Sequence, residues 1–209
     1  RFQGYTKGKN YPVTFGTFHG VYFGILKWAD GQGIYMYFTD EFSIENVLLD
    51  VPEYRVNNPV RALFLDHEQT LWIGTKGGGI LRMMDFHPDR ETLPQAERIL
   101  ANNSALMDNS VYSFAPGRRN SLWIGTEDGL NYYSYLTRRI EEFPVIADGK
   151  KVKYVHSICE TNDSTLWVVS AGEGIVKITL EASSSLPKVK SAQRFTLDGG
   201  KRNSNYFFV

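Results

Sequence analysis

Few residues of this 209-residue sequence have the type and spacing that catalysis requires. The acidic pairs at 40–41 and 141–142 are adjacent in the chain, so in a strand or turn their carboxylates point apart and do not act on one glycosidic bond. The glycine run at 77–79 is too short for a phosphate cradle and leads into no helix. No Gly-x-Ser-x-Gly sequence marks a nucleophilic serine. We therefore expect no catalytic residues.

Metal and disulfide chemistry are also disfavoured. The four histidines lack the spacing of metal ligands; they are His19, His67, His87 and His156. The single cysteine, Cys159, excludes an internal disulfide and a cysteine-based zinc cluster. We expect no metal and no cofactor.

Composition narrows the classes of partner. Lys plus Arg is 23 and Asp plus Glu is 23, so the formal net charge is zero and the basic surface that nucleic acid needs is missing. No apolar run approaches the ~18 residues of a membrane-spanning helix. The hydrophobic fraction of 42% is typical of a globular fold, and the aromatic fraction of 14% favours strands.

The elements that would position any site follow from an internal repeat. Three stretches align without gaps: Val60–Gly74, Val111–Gly125 and Val155–Val169. Each places a Leu-Trp pair with its tryptophan 12 residues after the opening Val, and a degenerate copy from Phe23 has Tyr35 in the tryptophan's place. These aromatic residues are 37, 51 and 44 residues apart, which is the spacing of four-stranded propeller blades of roughly 40–50 residues. The sequence thus predicts an all-β propeller.

Turn residues divide each repeat into four short strands. In the second copy the strands are predicted at about 111–115, 121–126, 130–135 and 139–144. A glycine precedes the third strand of each clear copy, where a tight turn calls for positive φ; these are Gly79, Gly129 and Gly174. The segment Asp89–Leu100 is interpreted as a loop insertion, because Pro94 interrupts its weak helical pattern.

The repeat resembles the two-component-regulator propeller repeat. An opening Val, a central Leu-Trp-Ile-Gly-Thr and a following Gly-Leu carry the resemblance, most clearly in Val111–Asn131 and Val60–Leu81. Two departures stand out: the family's Asp-Gly before Leu-Trp is replaced in all three copies, and the third copy has Val169-Ser170 in place of Gly-Thr. The resemblance covers most of the chain.

The resemblance implies a function as well as a fold. Such repeats build the extracytoplasmic sensor region of hybrid histidine kinases of the Bacteroidetes type, in which dimeric propellers pass a signal through the membrane. It implies a periplasmic module of a membrane-anchored parent that forms a homodimer. The kinase chemistry would lie outside these residues. The family's rings are generally seven-bladed, so about four blades of a larger ring are expected here.

The predicted organisation has six segments. They are the end of a preceding blade with a linker (1–17), a degenerate blade (18–56), three blades (57–104, 105–149 and 150–198) and the start of a next blade (199–209). Phe2–Thr6 resembles an outermost strand and 205–207 the beginning of an innermost one. Exposed end blades are open sheet edges, which favour pairing.

The repeated aromatic residues are expected to serve the blades. A residue needed once per repeat points to packing between blades and not to sugar stacking; these positions are Trp72, Trp123 and Trp167. His156 is the only histidine placed near the central axis, where a hydrogen-bonded structural role is favoured over ligand contact. Cys159 lies on the same strand and is expected to be a buried, inert thiol.

Candidate ligand contacts lie in loops at one face. Antiparallel pairing places the beginning of each inner strand and the end of its neighbour on the same face. Residues there that do not repeat are the better candidates, because the fold does not demand them. They are Lys76, Glu127, Asp128, Lys153, Tyr154 and Glu173.

The favoured hypothesis is a non-enzymatic sensing module that binds a polar ligand, with an oligosaccharide the best fit to charges and one aromatic ring. Two alternatives stay open. A secreted propeller enzyme acting on carbohydrate would need acid and base groups that converge on the central channel. A non-catalytic protein-interaction scaffold would need an exposed apolar patch.

Overall fold

The computed structural model describes residues 10–16, 21–29, 33–43, 59–86, 95–162, 164–182 and 186–196. Every regular element in these ranges is a β-strand. None of the described residues forms a helix long and apolar enough to span a membrane.

The strands form successive antiparallel sheets, which we call blades. Blade 1 contains β1 (Asn10–Gly16), β2 (Val21–Ala29) and β3 (Gly33–Ser43). Blade 2 contains β4 (Val60–Leu65), β5 (Leu71–Thr75), β6 (Ile80–Met84) and β7 (Gln95–Ile99). Blade 3 contains β8 (Val111–Gly117), β9 (Ser121–Thr126), β10 (Gly129–Ser134) and β11 (Arg139–Phe143). After the hairpin of β12 (Ile146–Ala147) and β13 (Lys150–Lys151), blade 4 contains β14 (Val155–Asn162), β15 (Thr165–Ser170), β16 (Gly174–Leu180) and β17 (Val189–Phe195).

The first strands of successive blades lie side by side. Strand β8 packs against β4 on one side and β14 on the other, and β1 lies next to β4. Within each blade the strands follow chain order from this inner strand outward. This arrangement confirms the prediction of a partial β-propeller.

Successive blades touch through a glycine and a valine of the repeat. A Cβ added to Gly125 would lie 2.5 Å from the carbonyl oxygen of Val155 and 2.2 Å from the hydroxyl of Ser113. A Cβ at Gly74 would lie 2.8 Å from a methyl group of Val111. The glycine of Leu-Trp-Ile-Gly is therefore the position against which the opening valine of the next repeat packs.

Two of the repeated tryptophans, Trp72 and Trp123, are buried, and their indole nitrogens donate to carboxylates. Trp72 Nε1 donates to Asp66 at 2.9 Å, and Asp66 also accepts from the hydroxyl of Tyr135 in blade 3 at 3.1 Å. Trp123 Nε1 donates across the blade boundary to Glu160 at 2.8 Å. Each carboxylate thus joins two neighbouring blades while it satisfies a buried donor.

One predicted repeat position differs in the structure. Because β1 and not β2 lies next to β4, Tyr35 falls on the third strand of its blade. Trp72, Trp123 and Trp167 fall on the second strand of theirs. The turn glycine explains the difference, since Gly33-Ile34 begins β3 in the same way that Gly79-Ile80 leads into β6.

The loop predicted at Asp89–Leu100 contains a strand. Strand β7 pairs with β6, with Ile99 opposite Ile80, and the side chain of Ile99 is buried between blades. This pairing satisfies the outer edge of β6, which outweighs the weak local pattern. Residues 87–94 lie outside the described residues.

Cys159 is exposed, so the prediction of a buried thiol is wrong. It stands opposite Trp167 in the same cross-strand row that Ala115 and Trp123 occupy in blade 3. Blade 4 covers that row in blade 3, whereas no described residue covers the row in blade 4. Trp167 is accordingly only half-buried.

The predicted segment boundaries remain predictions, and both terminal segments, including 1–6 and 199–209, lie outside the described residues. The boundary between 149 and 150 falls in the turn of the β12–β13 hairpin.

We predict that Gly125→Val loosens the contact between blades 3 and 4. The added atoms would overlap the Val155 carbonyl, and overpacking of this kind costs up to about 3 kcal/mol of unfolding free energy. Gly149→Ala is the control, because its positive φ carries backbone strain but nothing lies within 4 Å of its Cβ, and it should cost only about 1 kcal/mol. Urea denaturation measures both; equal losses would contradict the packing role.

We also predict that Asp66→Ala is strongly destabilising. The substitution leaves four donors without their acceptor: the amides of Glu68 and Thr70, the indole of Trp72 and the hydroxyl of Tyr135. The expected loss is about 3 kcal/mol. Glu97→Ala removes an exposed ion pair with Arg82 and should cost at most about 1 kcal/mol. If Asp66→Ala lowers the free energy of unfolding no more than Glu97→Ala does, Asp66 does not hold blades 2 and 3 together.

Candidate functional site

The six candidate residues lie at the face where the second strand of each blade turns into the third. Lys76 is in the β5–β6 turn, Glu127 and Asp128 form the β9–β10 turn, and Glu173 is in the β15–β16 turn. Lys153 and Tyr154 directly precede β14 and therefore reach the same face. The structure brings the candidates of blades 3 and 4 together; Lys76 lies on blade 2, where its amide donates to Pro59.

Asp128 is held by two lysines. Its carboxylate oxygens lie 2.6 Å from Lys151 Nζ and 2.8 Å from Lys153 Nζ. These hydrogen bonds, first that of Lys151 and then that of Lys153, lower the pKa of Asp128 and outweigh the effect of burial. The same contact raises the pKa of Lys153. Asp128 is therefore a fixed anion between two cations.

Glu173 makes a second cluster. Lys150 Nζ lies 2.8 Å from one carboxylate oxygen and Arg194 Nη1 lies 3.0 Å from the other. Burial would raise the pKa of Glu173, but the two cations together lower it. Glu173 and Arg194 are both largely buried, and the exposed part of this cluster is Lys150.

A hairpin connects the two clusters. Lys150 and Lys151 are neighbours on β13, and they bind Glu173 on blade 4 and Asp128 on blade 3 respectively. Ala147 and Val152 anchor the hairpin in the core between these blades. We call the surface formed by Glu127, Asp128, Lys150, Lys151, Lys153, Tyr154 and Glu173 the charged rim.

Sequence reasoning did not find Lys150, Lys151 or Arg194. A signal for the lysines exists, because Asp148-Gly149 between short apolar positions is a typical hairpin turn. Arg194 lies on the outer strand β17, and no sequence pattern connects that strand to the β15–β16 turn.

Glu127 and Tyr154 complete the charged rim. The carbonyl oxygen of Glu127 accepts from the amide of Tyr154 at 2.8 Å, and its side chain accepts from the hydroxyl of Tyr112 at 2.9 Å. Burial and then this hydrogen bond raise the pKa of Tyr112 to about 12, so the phenol stays protonated. The Tyr154 side chain is 41% exposed and offers an aromatic surface beside the charges.

Two grooves lie away from the charged rim. One, of ≈ 420 Å³, runs between blades 2 and 3 near Arg82 and Tyr133. The other, of ≈ 500 Å³, lies at the opposite face near His67, Arg118 and Tyr135. Neither is lined by a candidate residue.

The charged rim is suited to binding and not to proton transfer. Its two ion-paired carboxylates have lowered pKa values, whereas a general acid at neutral pH needs a raised one. Among the described residues no three His, Cys, Asp or Glu side chains could hold a metal ion together. What the charged rim presents is a fixed set of donors, acceptors and one aromatic ring.

We predict a pH-dependent contribution of Asp128 to stability. Because folding lowers the pKa of this carboxyl from its ordinary value of 3.8, the contribution is complete above that value and is lost as pH falls through the lower folded value. Asp128→Asn should therefore lower the free energy of unfolding at pH 7, and the loss should shrink as the pH falls below 3.8 and through the lower folded value. The exposed Glu142→Gln is the control and should have little effect at any of these pH values. Urea denaturation across this range measures the difference, and a pH-independent loss for Asp128→Asn would contradict the ion pairs.

Comparison with known proteins agrees with this architecture. A family described as two component regulator propeller matches residues 55–77 and 105–128, which contain parts of the first two repeats. A curated histidine kinase of Formosa agariphila is 27% identical over 125 residues, covering 59% of this chain and 9% of the kinase.

Two solved structures share the fold. One is the extracellular domain of a protein described as a one component system of B. thetaiotaomicron, with a TM-score of 0.56 and 19% identity over 88% of this chain and 24% of that one. The other is the extracellular domain of a hybrid two component system of the same organism, with a TM-score of 0.54 and 15% identity over 91% of this chain and 25% of that one. The chain thus spans about a quarter of these domains. The repeats, their strands and these matches agree: two stretches of the chain match the two component regulator propeller family, and the chain shares the propeller fold of these extracellular domains.

Proposed function

We propose that this chain is a ligand-sensing part of a hybrid two-component histidine kinase, that it lies on the extracytoplasmic side of the membrane, and that it binds an oligosaccharide. The observation that carries the proposal is the charged rim: donors and acceptors fixed in place by a hairpin on a rigid pair of blades. Recognition of a polar ligand needs such pre-positioned groups, because they lose little conformational freedom on binding.

A buried donor adds to this argument. The Nη2 atom of Arg194 is buried and has no hydrogen-bond partner within the described part of the chain, although Nη1 of the same side chain binds Glu173. An unsatisfied buried donor of a charged group is costly. Because Arg194 is buried, it supports the argument by holding Glu173 in place, and the exposed Lys150 is the group of this cluster that a ligand would meet.

An enzyme acting on carbohydrate is the weaker alternative. Glycosidases need one carboxyl whose pKa is raised so that it can donate a proton to the leaving group. The ion-paired carboxylates of the charged rim are shifted the other way by lysine and arginine. These residues therefore favour recognition over turnover, and kinase chemistry belongs elsewhere in the proposed parent.

Signalling adds one thermodynamic condition. In the proposed homodimer a ligand changes the output only if it binds one arrangement of the propellers more tightly than another. Rigid blades with a ligand-binding face are suited to this, because the energy of binding is transmitted to the dimer contacts and is not lost in local rearrangement.

We predict that defined oligosaccharides stabilise the full-length protein against heat in a saturable way. The stabilisation should reach about 2.7 kcal/mol at a ligand concentration one hundred times the dissociation constant. Lys76→Ala and Tyr154→Ala, both exposed at this face, should each weaken binding about tenfold, since each removes one direct contact. Lys190→Ala, exposed on the outer strand β17, is the control and should bind as the unaltered protein does.

Other outcomes decide between the alternatives. Consumption of the oligosaccharide during the measurement would establish the enzyme. Stabilisation by a partner protein with no response to any glycan would establish the scaffold and refute the sensor of oligosaccharides.

A further inference from the structure

The inner strands of blades 2, 3 and 4 share one irregularity. In each, the register with the second strand shifts directly after the opening valine, so that the inner strand contains one extra residue there, a β-bulge. The extra residues are Arg61, Tyr112 and His156. A β-bulge redirects the side chain of its extra residue and is over-represented near functional sites.

The bulge recurs in blades 2, 3 and 4, but the type of residue at the bulge differs. The valine before the bulge is buried in all three blades, and in blades 2 and 3 the residue after the bulge stands opposite the glycine of the repeat. The bulged residue itself is a different type in each blade, with one cation and two aromatic rings. A scaffold position whose chemistry varies from blade to blade is where specificity can be placed.

The three bulged residues occupy equivalent positions on the neighbouring inner strands β4, β8 and β14. The rings of Tyr112 and His156 are stacked with centroids 4.4 Å apart and an interplanar angle of 26°. Burial, and then the charge of Arg61, lower the pKa of His156, so the imidazole is neutral at pH 7. Arg61 holds the equivalent place on β4, which packs against β8 as β14 does, and we infer from this position that its side chain reaches the same end of the propeller axis.

Tyr112 connects this cluster to the charged rim. Its hydroxyl donates to Glu127 Oε2, which lies in the β9–β10 turn. The two stacked rings belong to β8 and β14, and this hydrogen bond also fixes the ring of Tyr112. Both rings are partly exposed, so the outer face of the stacked pair is available for contact, and Arg61 is exposed.

We propose that Arg61, Tyr112 and His156 form a binding site for a single sugar ring that carries an acidic group. The aromatic pair would pack against the apolar face of the pyranose, and Arg61 would form a charge-assisted, two-point contact with a carboxylate or a sulfate. This site deepens the proposed function and rests on it, because it assigns the ligand class and places the ring at the axis beside the charged rim.

The test is calorimetric titration of the full-length protein with three probes: an oligosaccharide of uronic acids, a sulfated oligosaccharide and a neutral one of equal length. Binding of one acidic probe is expected, with the neutral probe at least about tenfold weaker. Arg61→Gln should weaken the acidic probe about tenfold, and His156→Ala should weaken it similarly. Arg61→Lys keeps the charge without the planar contact and should fall between. Arg139→Gln, on the outer strand β11, is the matched control and should bind normally.

The outcomes are distinct. Preference for the carboxylated or the sulfated probe identifies the acidic group and supports the site. Unchanged affinity of Arg61→Gln, or tight binding of the neutral probe alone, overturns the site while the oligosaccharide sensor stands. Binding of no probe overturns both. Thermal melting of each variant identifies loss of fold, and if His156→Ala does not fold, the comparison of Arg61→Gln with Arg61→Lys decides.

Discussion

A tryptophan buried between two sheets must place its indole N–H on an acceptor, and this constraint organises the blades. Asp66 and Glu160 provide the acceptors, and each also binds a group of the blade on the other side of the interface. The hydrogen bond therefore fixes the spacing between sheets as well as the tryptophan. Glycines at 74 and 125 allow that spacing, because the next inner strand occupies the place where a side chain would be.

The face that carries the candidate residues depends on this spacing. Once blades 3 and 4 are held together, the β12–β13 hairpin can bury Ala147 and Val152 between them and extend Lys150 and Lys151 toward acidic turns on both sides. The same close approach brings the inner strands near enough for the rings of Tyr112 and His156 to stack. The candidate ligand contacts therefore depend on the packing between the blades.

The sequence predicts the blades well because their determinants are local and repeated. The strands of blade 3 lie within one to two residues of the positions inferred from its turns. The sequence is a poor guide to features that depend on residues far apart in the chain. Strand β7 exists because β6 needs a partner, Cys159 is exposed because no described residue covers its row, and Arg194 reaches Glu173 from an outer strand. Tyr35 does not stand at the tryptophan position that the repeat alignment predicts, although Gly33 marks the turn before a third strand.

A ligand bound at the axis would be better placed to shift the conformation of the propeller than a ligand bound to a single loop. Arg61 and His156 belong to blades that share no strand pairing, so a ligand that contacts both adds a connection that the hydrogen-bonded sheets lack. Its binding energy would depend on the distance between blades 2 and 4, and any state of the propeller that changes this distance would bind it differently. Differential affinity of this kind is the only way in which a ligand can shift a conformational equilibrium. Recognition at the proposed site would therefore depend directly on the separation of blades 2 and 4.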